Sequence, residues 1–173
     1  ARLADDARRC GALCLDSVDI AYAIVYGITM LEMAQVVLDT NVLVSALRSR
    51  RGASFKLVDG LGCERYVPCL STAVVLEYED VLLRQAATMG YTPEDIGDFI
   101  DFVVGVSRCV PIHFRWRPFL PDAGDECFLE LAVAARADAI VTYNKRHFPG
   151  VLETFGVKVL DAREFLQNIG VLP

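Results

Sequence analysis

The sequence is poor in the residues that build zinc centres. It has two histidines, His113 and His147, and none of its six cysteines stands at C-x-x-C spacing, which argues against a zinc site. Neither G-x-x-x-x-G-K-[ST] nor G-x-G-x-x-G occurs, so P-loop and dinucleotide-binding enzymes are excluded. Basic charge is also scarce: 17 Lys and Arg stand against 23 Asp and Glu, a net charge of −6. That balance disfavours non-specific wrapping of duplex DNA, where phosphate neutralisation dominates affinity. It leaves room for a nucleic-acid enzyme whose acidic site holds cations, because a bound metal inverts the local charge logic. The longest uncharged run of the N-terminal segment, residues 20–31, is 12 residues, too short to span a bilayer.

What is present suits a folded domain. The chain has 173 residues, 54% of them hydrophobic and 23% charged. A chain of this length buries roughly 70% of its unfolded surface without disulfides. The cysteine spacing (Cys10, Cys14, Cys63, Cys69, Cys109, Cys127) shows no framework, which points to a reducing, cytoplasmic setting. Residues 1–14 carry five charges where a signal peptide needs an apolar run. Met33 stands just before the first strong strand pattern. The expectation is therefore an N-terminal extension over residues 1–34, helical and without chemistry, and a functional domain over 35–173.

From residue 35 the pattern alternates. Val36–Leu38 reads as a buried strand ending at Asp39-Thr40-Asn41, followed by helix. Arg65–Pro68, Cys109–Ile112, Ala139–Thr142 and Val157–Leu160 read as further strands. Ser71 and the pair Thr92-Pro93 mark helix starts, Asp122–Asp125 opens another, and Asp161 with Glu164 caps the last. This alternation predicts an α/β layered domain around a mostly parallel sheet.

In such sheets ligands lie outside the carboxyl ends of the strands. Asp39 and Asn144 end two apolar strands. Glu77 sits among apolar neighbours, an unusual place for a charge. Asp122 and Asp125 stand at a helix start. Each has a plain structural reading as well: Asp39 or Asp122 as caps, Glu77 as a solvated helix residue, Asn144 as a turn residue. Converging carboxylates with no matching Lys or Arg repel one another, and hard divalent cations relieve that repulsion through oxygen ligands.

Taken jointly, four segments resemble the PIN-domain ribonucleases. They are Val36–Ala46 (VVLDTNVLVSA), Ser71–Tyr78 (STAVVLEY), Asp122–Ala132 (DAGDECFLELA) and Ala137–Phe148 (ADAIVTYNKRHF). The ending, Val159–Leu166, resembles the branch described as toxin components of toxin–antitoxin systems. The similarity covers residues 35–169. It implies a three-layer α/β/α sandwich and a metal-binding, catalytic core of Asp39, Glu77 and Asp125. Asn144 stands where many relatives carry a fourth acid, and Asp122 is the residue that can compensate. The implied cofactor is Mg²⁺ or Mn²⁺, as one or two ions. The implied reaction is hydrolysis of single-stranded RNA, with a cognate antitoxin and a homodimer as partners and no membrane.

Around this core, Thr40, Asn41, Thr142 and Asn144 can orient ligands, although capping or turn formation explains them equally. Arg48, Arg50 and Arg51 follow the first motif, and Lys145 and Arg146 follow the last, so both clusters can flank one crevice and meet a phosphate backbone. Arg115-Trp116-Arg117 interleaves an aromatic with cations, as single-strand binders do, but loop packing of the Trp is the plainer reading. Two other functions compete. A haloacid-dehalogenase-like phosphatase also ends its first strand on an Asp, but it needs a second acid where Asn41 stands. A degenerate PIN-like domain would be a non-catalytic interaction module.

Overall fold

Val36, Val37 and Leu38 are at most 1% exposed because β1 (Ala34–Leu38) is the central strand of a five-stranded parallel sheet. The computed structural model describes residues 33–63, 65–115 and 117–173. Of the helical extension expected over residues 1–34, residues 1–32, with Cys10 and Cys14, lie outside the described residues, as does Trp116, whereas Ala34 already belongs to β1. The sheet order is β3-β2-β1-β4-β5. Strand β2 is Tyr66–Leu70, β3 Arg108–Cys109, β4 Ala139–Val141 and β5 Lys158–Leu160. Register pairs Ala34 with Tyr66 on one side of β1 and Leu38 with Val141 on the other.

Among the described residues, seven helices connect and cover the strands: α1 Thr40–Arg48, α2 Ala53–Asp59, α3 Thr72–Met89, α4 Pro93–Gly105, α5 Glu126–Ala135, α6 Val151–Phe155 and α7 Ala162–Asn168. The result is the three-layer α/β/α sandwich expected from the sequence. Helix α5 packs on β1, β2 and β4, burying Phe128, Leu129, Leu131, Ala132 and Ala135. A fully buried Leu contributes roughly 1.5–3 kcal/mol. Helix α7 packs on β4, β5 and α2, and Phe165 meets the Tyr66 ring edge-on with centroids 5.4 Å apart.

The caps behave as their chemistry dictates. Ser71 accepts from the Val74 N–H, and Thr92 and Asp161 each form a reciprocal capping box. Two expectations need correction. The strand at 109–112 is only Arg108–Cys109, at the sheet edge: the Val110 N–H still reaches the Leu70 carbonyl at 2.7 Å, but Pro111 has no N–H to continue. The helix expected from Asp122 begins at Glu126, one turn later, after a turn over 123–125. A 3₁₀ turn over Lys145–His147 and helix α6 also depart from the pattern. Helix α6 is five residues bounded by Gly150 and Gly156, both at positive φ, and so has no periodicity to read.

From β1 the sheet continues to β2 on one side and to β4 on the other, so its switch point lies between β1 and β4. The crevice at their carboxyl ends is where a ligand is expected.

Candidate active site

Asp39 caps α1 at this switch point and is 5% exposed. A buried carboxylate needs donors, and three converge on it. Its Oδ2 accepts from the Thr142 hydroxyl at 2.5 Å and from Asn41 Nδ2 at 2.7 Å; its Oδ1 accepts from the Asn41 N–H at 3.2 Å. Thr142 Oγ1 in turn accepts from Asn41 Nδ2 at 3.1 Å and from the Asn144 N–H at 2.9 Å. Asn41 Oδ1 closes the circuit by accepting from the Tyr143 N–H at 3.1 Å. The ends of β1 and β4 are thus tied together through side chains of residues 39, 41 and 142.

Glu77 projects from α3, whose height over the sheet is set by its neighbour. Tyr78 is 2% exposed and its hydroxyl donates to the Leu38 carbonyl, one residue before Asp39. Its ring also lies 6.5 Å from that of Phe128 on α5. Asp125 occupies the N-cap position of α5 without a side-chain capping bond; its Oδ2 meets His147 Nδ1 at 2.8 Å instead. Asp122 accepts from the Gly124 N–H at 2.9 Å, an Asx turn outside the helix and not the helix cap expected of it.

Asp39 feels the charge of Asp125, and Glu77 feels that of both. Burial pushes the Asp39 carboxyl up; the Thr142 and Asn41 hydrogen bonds oppose that, and the Asp125 charge adds to it. Glu77 is raised first by burial, then by Asp80; the Arg84 charge opposes this, and Asp39 and Asp125 add smaller contributions upward. Asp125 is raised by burial and by Asp122, against the His147 hydrogen bond. Among the described residues, no lysine or arginine forms an ion pair with Asp39, Glu77 or Asp125. Such a set fits a hard divalent cation, which takes one or two carboxylates directly and keeps water as its other ligands.

Among the described residues, the set of possible ligand atoms lying within 4.8 Å of one another is Asp122, Asp125 and His147. Asp39 and Glu77 stand outside that tightest group. The sequence presents His147 only as part of a basic run; nothing local signals that it reaches Asp125 across 22 residues. Two more acids carry no sequence signal of their roles. Glu126 is 1% exposed and accepts from the N–H groups of Phe119 and Leu120 at 2.5 and 2.8 Å, holding the segment that leads into the Asp122 turn. Glu130 is paired with Arg117 at 2.9 Å.

A crevice of about 530 Å³ opens beside Asp39, lined also by Thr40, Asn41, Arg48, Gln85 and Asn144. The Arg48 guanidinium is braced by Gln85 Oε1 at 2.7 Å. Lys145, expected at the substrate, is engaged by Glu164 and lies 3.7 Å from Asp161, pinning the 3₁₀ turn to the start of α7. Arg50, Arg51 and Arg146 are exposed. Thr40 is buried, and its hydroxyl has no hydrogen-bond partner among the described residues.

A sequence profile of the PIN domain matches residues 35–146, which contain Asp39, Glu77, Asp125 and Asn144. The chain belongs to the PIN-domain family. Among solved structures, this PIN domain is similar to a chain of VapBC2 from Rickettsia felis bound to a DNA fragment from their promoter. The identity is 13%, covering 73% of this chain and 98% of that one, with a TM-score of 0.49. No curated protein sequence matches the chain. Membership in this family sets aside the dehalogenase-like phosphatase, and Asn41 supports that: where a phosphatase needs an acid, this residue donates to Asp39.

Proposed function

We propose that this PIN domain, residues 35–173, is an endoribonuclease that hydrolyses phosphodiester bonds of single-stranded RNA with Mg²⁺ or Mn²⁺. The observation that carries this reading is the placement of Asp39 at the β1–β4 switch point, hydrogen-bonded by Asn41 and Thr142, together with Glu77 and Asp125: Asp39 feels the charge of Asp125, and Glu77 feels both. Each is raised by burial and by the charge of another acid, and none is ion-paired with a lysine or arginine among the described residues. Asp39, Glu77 and Asp125 would hold the ion, with Asp122 and His147 beside Asp125. When bound, the metal supplies Lewis acidity, lowering the pKa of a ligated water and offsetting the charge of the phosphate.

The chain's own residues do the rest. Asn41 and Thr142 orient Asp39 and oppose the upward push of burial on its carboxyl, and leave Oδ1, with a single longer hydrogen bond, as its freer oxygen. Arg48, braced by Gln85, offers a guanidinium to a phosphate in the crevice. Asn144 lines the same crevice and can donate to substrate or orient a water. Arg50, Arg51 and Arg146 are the outer cations of this reading.

By its sequence resemblance the protein acts in the cytoplasm as the toxin of a toxin–antitoxin pair, restrained by a small protein that occupies the crevice. No helix among the described residues is long and apolar enough to cross a membrane. Leu76 and Leu83, 58% and 39% exposed on α3, favour self-association as a homodimer. Cleavage of defined RNA oligomers with Mn²⁺, with Mg²⁺ and with EDTA, wild type beside Asp39→Asn, tests the reading. Metal-dependent cleavage that Asp39→Asn abolishes is expected; equal cleavage in EDTA overturns it.

A further inference from the structure

A second depression, of about 290 Å³, lies on the same rim of the sheet, and none of the core acids lines it. It is lined by Arg51, Gly52, Ala53, Lys56, Arg163, Leu172 and Pro173. Arg163 stands in the first turn of α7, just after β5 ends, and Ala53 begins α2, so the depression opens at the carboxyl ends of the strands, as the acidic crevice does. Three cations therefore meet here, and none of the three is paired with a carboxylate among the described residues. In a chain of net charge −6, three cations lining one depression are a local concentration of positive charge.

The two depressions are joined by structure. Ser49 lines the first and Arg51 the second, two residues further along one loop. Tyr143 follows the Thr142 that binds Asp39 and precedes Asn144, which lines the first; its hydroxyl is 2.6 Å from the buried Ser54 hydroxyl, next to Ala53, which lines the second. That bond fixes the phenol end of Tyr143, while the residue remains 48% exposed. A ring held at its tip and open on its face is a suitable platform for a nucleobase.

We propose that the Arg51–Lys56–Arg163 depression is a second phosphate subsite for single-stranded RNA, with Tyr143 as a stacking platform linking it to the acidic crevice. The inference rests on the ribonuclease reading and adds where the strand runs on leaving the cleavage centre. Neutral saccharides or lipids would find no use for three clustered cations, whereas successive phosphates would. Because the depression lies away from the acids, it recognises the strand by length and charge and leaves the reacting phosphate to the first crevice.

The test is fluorescence anisotropy of labelled oligouridylates of four and twelve nucleotides, in EDTA so that nothing is cleaved. The full chain is compared with Lys56→Gln/Arg163→Gln and, separately, with Tyr143→Phe and Tyr143→Ala. Thermal melts confirm that each variant is folded. The wild type should bind the twelve-mer at least about tenfold more tightly than the four-mer, and the double variant should lose most of that gain. Its plot of log affinity against log salt should be shallower by about 1.4, at about 0.7 for each single-strand phosphate that is no longer neutralised. Tyr143→Phe, which keeps the ring but not its anchoring hydroxyl, should lose less of the length gain than Tyr143→Ala. Equal twelve-mer affinity and salt slope in wild type and double variant would overturn the subsite. Failure of the wild type to cleave RNA with Mn²⁺ would instead overturn the ribonuclease reading, so the two failures are distinguishable.

Discussion

Asp39 and Asp125 are both raised by burial, yet they are held in opposite ways. Asp39 sits at the junction of two central strands and receives three hydrogen bonds from Asn41 and Thr142. Asp125 stands on a turn before α5, held by a single contact to His147, with the exposed Asp122 nearby. One acid is fixed by the sheet itself; the other depends on a turn and on a side chain from a distant 3₁₀ segment. The difference teaches that precision at this site comes from the β1–β4 corner, and adaptability from the turn. An ion held between them would then draw its fixed ligand from the corner.

Catalysis is where breaking this contrast has the largest effect. Asp39→Asn and Asp125→Asn should each reduce Mn²⁺-dependent cleavage by at least about 10²-fold, with no rescue at saturating metal, because each removes a charge from the proposed ion. Single-turnover rates across a metal titration measure this. Asp122→Asn and His147→Gln belong to the adaptable side. They should weaken apparent metal affinity by about 10–100-fold, and excess metal should restore most of the rate. If Asp122→Asn resists rescue while Asp125→Asn is rescued, the roles of the two acids on the turn are exchanged.

Stability separates the two regions as well. Thr142→Val removes the hydroxyl that serves Asp39, Asn41 and Asn144 at once, leaving a buried carboxylate oxygen with one donor fewer. Chemical denaturation should show a loss of about 1–3 kcal/mol. Removing the Asp125 partner by His147→Gln should cost less, since both groups are partly exposed.

The smallest effect is expected at Glu77, which has no hydrogen-bond partner among the described residues and is raised by burial, Asp80, Asp39 and Asp125. A carboxyl raised in the folded state destabilises the fold once ionised, so Glu77→Gln should raise the metal-free melting temperature. Solvent screening at this partly exposed position limits the gain to about 1–2 °C by calorimetry. Asp39→Asn should show no such gain although its carboxyl is raised as well, because the amide nitrogen of the variant would face the Asn41 and Thr142 donors.

Much of this is legible in the residues. The apolar run Val36–Leu38 ending at Asp39-Thr40-Asn41 specifies a buried strand, a turn and a helix cap, since a short polar side chain after a buried strand has few other uses. The caps at Ser71, Thr92 and Asp161 are legible because capping is local chemistry. The start of α5 lies one turn later than the pattern suggests. Asp122 and Asp125 are both good caps in isolation, and only the packing of Glu126 against the Phe119 and Leu120 N–H groups fixes where the helix begins. Lys145 reads as a free cation in the chain because its partners Asp161 and Glu164 are distant in sequence.

The sequence by itself determined the alternation of strand and helix and the caps, because those follow from periodicity and from bonds spanning three or four residues. Only the tertiary structure decided which charges meet. It joined Thr142 to Asp39 across 103 residues, His147 to Asp125 across 22 and Tyr143 to Ser54 across 89. The physical reason is that a parallel sheet brings the ends of non-adjacent strands together, and contacts made there leave no periodic trace in the chain.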